Sequence, residues 1–333
     1  MPKKRVLTGY RPTGRLTLGH WFGNLLAMRE LQDRYEAFYF VADWHALTSD
    51  WQDTHAIRQY TEEMVLDWIA AGIDPDKSTI YRQSDVPEVA ELTMYLSMVA
   101  PMTWLERVPS YKEQREQIAE KDLGNVGFFL YPLMQAADIS IVRGDMVPVG
   151  EDQLPHLELT REVVRRFNNQ YGDLLPEPDA LIAKEGARVP GTDGRKMSKS
   201  YGNAIYLSES EEETAAKVMS MITDPARKLK TDPGNPDICP LQQIHKLVAS
   251  DAGEIAEWDR CCRVAECGCV AHKRKLVEDL NGYLREFRTR RAELAASPGY
   301  AWEVLAAGAA KVRPEVEDLM GDVRRAMHVD AER

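Results

Sequence analysis

The order of apolar and polar positions divides the first half of the chain into short apolar runs alternating with stretches of helical period. Residues 5–10, RVLTGY, read as a strand. A Gly/Pro loop follows, RPTGRLTLG, and Trp21, Leu25, Met28 and Leu31 then keep the spacing of a buried helix face over about 20–35. AFYFVADWHAL reads as a buried strand ending in polar residues, 54–72 as a helix closed by Gly72, STIYRQSDV as a third strand and 88–100 as a further helix. Residues 101–145 interrupt the alternation with charged and aromatic segments and read as an insertion. DMVPVGEDQ resumes as a strand, and Leu159, Val163 and Phe167 share one face of the helix after it. From about 211 the pattern is helical. Leu276, Leu280, Leu284 and Phe287 make one stripe, and Val316, Met320, Val323 and Met327 another, with Pro314 near its start.

Strands alternating with helices predict an α/β fold with a parallel sheet flanked by helices, followed by an α-helical second domain. In such sheets ligands bind at the C-terminal ends of the strands. RPTGRLTLGH, DWHALT and QSDVPE fall there.

Composition narrows the class. A length of 333 residues suits about two domains. With 44% hydrophobic and 29% charged residues the chain reads as soluble and globular. No apolar run approaches the roughly 18 residues of a membrane span. The basic start MPKKRVLTGY has no apolar signal core after it, which predicts a cytoplasmic protein that does not meet a membrane. A net charge of −11 argues against general coating of polyanions but leaves room for a shaped nucleic-acid site.

Two segments carry candidate phosphate chemistry. Gly9, Gly14 and Gly19 do not have the G-x-G-x-x-G spacing of a dinucleotide loop, which sets aside a nicotinamide oxidoreductase, and no P-loop occurs. Thr17-Leu18-Gly19-His20 stands instead at the mouth of a helix, whose N-terminus favours a phosphate. Taken alone it reads equally as a capped helix. The second segment, GTDGRKMSKSYGN (191–203), puts Lys196 and Lys199 on a glycine-flanked loop. Such a loop can swing over a triphosphate and neutralise the leaving pyrophosphate. Taken alone it reads as a solvated surface loop.

Together the two segments resemble the signatures of the class I aminoacyl-tRNA synthetases. TLGH is similar to the HIGH-type element, and Lys196-Met197-Ser198-Lys199-Ser200 matches the KMSKS loop letter for letter. GYRPTGRLTLGHWFGNL, YPLMQAADI, VPVGEDQLPHLELTREVVRRFN, TDPARKLKTDPGNPDICP and KVRPEVEDLMGDVRRAM resemble the tryptophanyl branch more than the tyrosyl one. The resemblance implies a Rossmann-like catalytic domain over 1–210, with its insertion at about 101–145, and a helical anticodon-binding domain over 211–333. It implies a homodimer formed through residues near 95–145. The implied activity is that of a tryptophan–tRNA ligase using ATP and Mg²⁺, with L-tryptophan and tRNA(Trp) as partners. Carried over position by position, Thr17, His20, Lys196, Ser198 and Lys199 are catalytic. Arg11, Gly19, His20, Lys112, Gly150, Asp152, Lys196, Met197 and Lys199 contact ATP. His45, Gln135, Asp138, Val147, Val149 and Gln153 form the amino-acid pocket. An indole N–H only donates, so the pocket needs an acceptor, and Asp138 matches that position.

Two residues depart from the pattern. Gln135 stands where many tryptophanyl relatives have methionine and tyrosyl ones commonly glutamine, which keeps tyrosine open as the substrate. Arg11 replaces a common glutamine. A non-catalytic amino-acid or RNA binder on the same fold is a further alternative, against which the intact phosphate motifs argue.

All five cysteines lie between Cys239 and Cys269. Cys239, Cys262, Cys269 and His272 follow a spacing at which some bacterial tryptophanyl enzymes hold an iron–sulfur cluster with four cysteines. The resemblance implies a 4Fe-4S site with histidine as fourth ligand. Three cysteines and a histidine also suit zinc, with Cys267 as an alternative ligand. Reduced thiols without metal are the third reading, and disulfides are not expected in a reducing cytosol. Lys273, Arg274, Lys275, Arg288, Arg290 and Arg291 are candidates for tRNA phosphates or for a solvated helix face.

Overall fold

The computed structural model describes residues 3–108, 123–150, 153–182, 189–229 and 231–330. Five strands, β1 (Arg5–Tyr10), β2 (Glu36–Val41), β3 (Ser78–Arg82), β4 (Met146–Val149) and β5 (Asp179–Ile182), form one sheet. Their order is β3-β2-β1-β4-β5, and every pairing is parallel. Both faces are covered. Val6, Tyr39, Val41 and Ile80 join one apolar cluster, and Leu7, Phe38, Phe40 and Tyr81 the other. A parallel strand buried on two sides needs apolar residues at successive positions, which is why the runs barely alternate. The chain builds outward from β1 to β3 and then crosses back to β4. That reversal leaves a crevice at the C-terminal ends of β1 and β4. The predicted α/β, Rossmann-like architecture is the one observed.

Several boundaries differ from expectation. The first helix begins as α1 (Leu18–His20), widens into a π-helical turn at Trp21–Leu25 and continues as α2 (Leu26–Arg34). β2 ends at Val41, and the polar tail read as strand is helix α3 (Asp43–Asp50). After α4 (Ile57–Ala70), β3 stops at Arg82 and Gln83–Asp85 form a single 3-10 turn. α5 (Glu88–Val99) and α6 (Met102–Glu106) follow. Within the stretch read as an insertion lies α7 (Val126–Ile141), whose Phe128, Leu133, Ala136, Ala137 and Ile139 are buried in the core. It packs against α5 and leads directly into β4. α8 (Leu154–Tyr171) buries Leu159, Val163 and Phe167 as predicted. β5, only four residues long and half exposed, carries no apolar run to announce it.

The rest is helical: α9 (Glu211–Ser220), α10 (Pro240–Val248), α11 (Ala252–Arg263), α12 (Cys269–Ala295) and α13 (Tyr300–Ala326). Leu276, Leu280, Leu284 and Phe287 on α12 are buried, each contributing about 1.5–3 kcal/mol of hydrophobic stabilisation. Two polar ties join α12 to the first half. Trp21 Nε1 donates to Tyr283 Oη at 2.9 Å, and Arg291 Nε donates to the buried Asp67 at 2.5 Å. Burial pushes the Asp67 carboxyl up to about 6 despite the pull of Arg291. α13 starts at Tyr300, so Pro314 lies inside it rather than near its start. It runs along β3 so closely that a Cβ on Gly308 would stand 1.8 Å from the Ile80 carbonyl oxygen. Its Leu305 belongs to one core cluster and its Val312 and Val316 to the other, so it covers the sheet edge. Among the described residues, no helix is long and apolar enough to cross a membrane.

Candidate active site

Thr17 sits at the N-cap of α1 with extended backbone. Its N–H donates to His20 Nδ1 at 3.1 Å, and its hydroxyl lies 2.8 Å from the same atom. A backbone N–H can only donate, so the neutral imidazole carries its proton on Nε2. Burial, with the positive Lys199 adding to it, pushes His20 down to about 4. At neutral pH His20 is therefore an uncharged donor. Thr17 itself is 2% exposed and holds His20.

The lysine loop is built more firmly than its glycines suggest. Met197 N–H donates to Val189 O and Gly191 N–H to Arg195 O, closing a hairpin. Buried Asn203 fills its centre. Its Nδ2 donates to Asp193 (2.7 Å) and to the Lys196 carbonyl (3.2 Å), and its Oδ1 accepts from Ser198 N–H (2.8 Å). A Cβ on Gly191 would lie 2.2 Å from Asn203 Nδ2, so only glycine lets that side chain in. The loop's C-terminal end pairs with the first motif: Leu18 N–H donates to Ile205 O, and Leu207 N–H to Leu16 O. Lys199 Nζ reaches the Gly14 carbonyl at 3.3 Å. The two signature segments thus form one body. Burial, helped by the nearby Arg11 charge, lowers Lys199 to about 8.

Two cavities open above the sheet. One of about 680 Å³ is lined by Arg11, Pro12, Thr13, His20, Ser49, Asp50, Met197, Ser198 and Lys199, among others. It combines donors and positive charge on two walls, the chemistry a nucleotide triphosphate needs. The other, of about 340 Å³, is lined by Leu7, Gly9, Asn24, Phe40, His45, Phe128, Tyr131, Gln135, Asp138, Val147, Val149, Gln153 and His156. Val147 and Val149 form apolar walls, as expected. A Cβ on Gly9 would stand 2.3 Å from the Phe40 ring, so Gly9 gives that ring its place. Arg11 lines both cavities. Asp138 is buried in the smaller one. His45 Nε2 lies 2.9 Å from its Oδ2, and Gln83 Nε2 donates to both its oxygens at 2.9 Å. Burial raises the Asp138 pKa above the usual carboxylate range, opposed by His45 and Gln83.

The family model described as tRNA synthetases class I (W and Y) matches residues 2–285. A tryptophan–tRNA ligase of Thermotoga maritima is 45% identical over 98% of this chain and 99% of its own length. One from Aquifex aeolicus is 39% identical over 98% of this chain and its whole length. The chain belongs to the class I tRNA synthetases, in the tryptophan–tRNA ligase branch. A solved tryptophanyl-tRNA synthetase of Campylobacter jejuni, complexed with ADP and tryptophan, superposes with a TM-score of 0.89 at 35% identity, covering 97% of this chain and 99% of that one. A tyrosyl-tRNA synthetase of Archaeoglobus fulgidus, at 22% identity and a TM-score of 0.66, shares the fold.

Of the residues carried over to this synthetase, His20, Arg11, Met197, Ser198 and Lys199 line the larger cleft. His45, Gln135, Asp138, Val147, Val149 and Gln153 line the smaller. Lys196 is exposed and outside the cleft lining, engaged only through its carbonyl. Gly19 packs beneath Met197, and Gly150 is exposed beyond the end of β4. Lys112 and Asp152 lie outside the described residues. Sequence reasoning missed Gln83, Asn203, Tyr131 and His156. Gln83 stood within QSDVPE at a strand end, which was the available signal.

The predicted four-ligand metal set is not assembled. Cys239, Cys262 and Cys269 approach one another, but Arg227 Nη1 lies 3.8 Å from both Cys262 and Cys269, a cation already placed among them. His272 turns its Nε2 to His245 Nδ1 at 2.8 Å and stacks on Trp258. Cys267 is paired with Cys261 in a disulfide, against the expectation of reduced thiols, and is not available as a fourth ligand. Tetrahedral zinc with Zn–S near 2.3 Å needs donors about 3.8 Å apart. Among the described residues, the one candidate group with donors within 4.8 Å of one another is His245, Glu254 and Asp279. Lys275 already neutralises that group, at 3.1 Å from Glu254 and 2.9 Å from Asp279. Among the described residues Cys239, Cys262 and Cys269 are the free thiols, and the fourth position of the predicted cluster is the His272 imidazole held by His245. Several basic candidates are also occupied. Lys275 is held as above, Arg288 bonds Asn281 and Thr214, and Arg291 bonds Asp67.

Proposed function

We propose that the protein activates L-tryptophan with ATP and transfers it to tRNA(Trp). The observation that carries this reading is the meeting of the two cavities at Arg11. One is part apolar and ends in a buried acceptor, which suits an indole. The other is lined by His20 and Lys199, which suits the triphosphate. Tryptophan would place its ring N–H against Asp138 and its carboxylate towards Arg11. That carboxylate attacks the α-phosphorus in line, forming the mixed anhydride and releasing pyrophosphate. His20 Nε2–H and Lys199 bear the charge that develops on the phosphates. Lys196 joins them only if its exposed side chain swings inward when ATP binds. Mg²⁺ bound with ATP would supply further neutralisation of the phosphates. The adenylate then esterifies the terminal ribose of the tRNA, so no protein nucleophile is required.

The helical part, 211–333, serves the tRNA in this reading, within a cytoplasmic enzyme. A homodimer is favoured by the face around α5 and α6. Met94, Met98 and Met102 are all more than half exposed there, at the start of the region near 95–145 that the resemblance implies for the dimer. The test of function is amino-acid-dependent ATP–pyrophosphate exchange with tryptophan and tyrosine in parallel. Exchange with tryptophan is expected. Exchange with tyrosine alone would make Gln135, which lines the cavity, the deciding residue and overturn the reading.

A further inference from the structure

Gln83 does not line either cavity, yet it is wholly buried and all its bonding capacity points at the site. Its Oε1 accepts from the N–H groups of Trp44 (3.1 Å) and His45 (3.3 Å), in the first turn of α3. Two backbone N–H groups can be answered only by the amide oxygen, so the orientation of the amide is fixed. Its NH₂ must then face Asp138, where it lies 2.9 Å from each carboxylate oxygen. A group that only donates requires both oxygens to accept, so the ionised carboxylate is favoured over the protonated one. His45 Nε2, 2.9 Å from Oδ2, then donates as well. Asp43, whose negative charge also bears on Asp138, has its own carboxylate occupied by Ser84 and the Trp44 N–H.

We infer that Gln83 is the positioning residue that sets specificity: it keeps Asp138 ionised and acceptor-only, so that the pocket demands a ring N–H donor. The inference rests on the proposed tryptophan reading of Asp138 and adds the cause of its protonation state. The residue acts through Asp138 and need not touch the amino acid. Desolvation alone would drive a carboxyl at this depth towards the neutral form, in which it donates as well as accepts and discriminates poorly. Gln83, together with His45, opposes that drift, and it also pins the start of α3, which carries His45. One side chain thus aligns both Asp138 and the helix turn that carries His45.

The experiment compares native protein, Asp138→Ala, Gln83→Met and Gln83→Glu in pyrophosphate exchange. Two substrates are used: L-tryptophan and 3-benzothienyl-L-alanine, in which sulfur replaces the ring N–H. The native ratio of kcat/KM should favour tryptophan, and Asp138→Ala should collapse it. Gln83→Met should lower the ratio at least about tenfold, mainly through KM for tryptophan, with the analogue changing far less. Gln83→Glu keeps the volume but opposes two carboxylates, and should lose the ratio too, which serves if Gln83→Met folds poorly. An unchanged ratio in either Gln83 variant, or equal losses for both substrates, overturns the inference. An unchanged ratio in Asp138→Ala overturns the pocket reading, and the inference falls with it.

Discussion

Asn203→Ala removes the centre of the lysine loop and leaves every catalytic candidate in place. Three hydrogen bonds are lost, to Asp193, to the Lys196 carbonyl and from Ser198 N–H. Each is worth about 0.5–1.5 kcal/mol net. Water reaches the loop once it opens and restores part of this, so about 2–3 kcal/mol of loop ordering is a fair total. If the closed loop is needed to place Lys199 on the phosphates, that cost appears in the barrier, as a fall of about 30- to 160-fold in kcat. The assay is ATP–pyrophosphate exchange at saturating tryptophan, with thermal unfolding as a control for global stability. Asn203→Asp keeps the acceptor for Ser198 N–H but loses both donors, and should fall between. A kcat for Asn203→Ala within about threefold of native would refute the reasoning, because the three bonds together are expected to cost more than that.

Three further outcomes are expected. Lys199 is lowered to about 8, so its charge is present below that pH and lost above it. The value of kcat/KM for ATP should fall as pH rises through about 8, and the limb in kcat should lie higher because bound phosphates favour the ammonium. Lys199→Arg should abolish the limb, and a native profile flat through the alkaline range would count against a role for Lys199 charge. Gly9→Ala must displace the Phe40 ring into the smaller cavity. KM for tryptophan should rise at least about tenfold with KM for ATP unchanged, and equal changes in both would defeat this account. Met98→Asp, on the exposed methionine face, should turn a dimer into a monomer by sedimentation. A native protein that is already monomeric would dismiss the proposed interface.

Much of the site was legible because its chemistry is local. Thr17 to His20 and Met197 to Lys199 are contiguous, and a strand end followed by a helix start says where such residues go. The amino-acid pocket was legible through Asp138, Val147 and Val149 for a similar reason, since α7 and β4 adjoin in sequence. Gln83 and Asn203 were not. Their importance comes from partners brought close by folding, Gln83 with Asp138 and Asn203 with Gly191, and a lone amide in a polar stretch announces neither. The tail of β2 misled because Asp43 to Leu47 follows an apolar run without a break, and only hydrogen bonds end the strand. The arrangement around the cysteines was not legible from spacing. Cys269 and His272 share a helix face, but His245 claims the imidazole and Arg227 lies among the thiols. Thr17 and Lys196 are a subtler case. Both stand in the motif, yet the first is spent on His20 and the second faces solvent.

The covering of β3 by α13 has a consequence for how the protein is made. β3 leaves the ribosome more than two hundred residues before α13 does. Throughout that interval its outer row of N–H and C=O groups has no intended partner, and Gly308 is not yet there to close against Ile80. The nascent chain carries an open template for pairing with other chains, sealed once α13 arrives. Deleting α13 would leave both signature motifs intact and still yield a protein inclined to aggregate. α13, which contributes no residue to either cavity lining, decides whether the segments made long before it stay soluble.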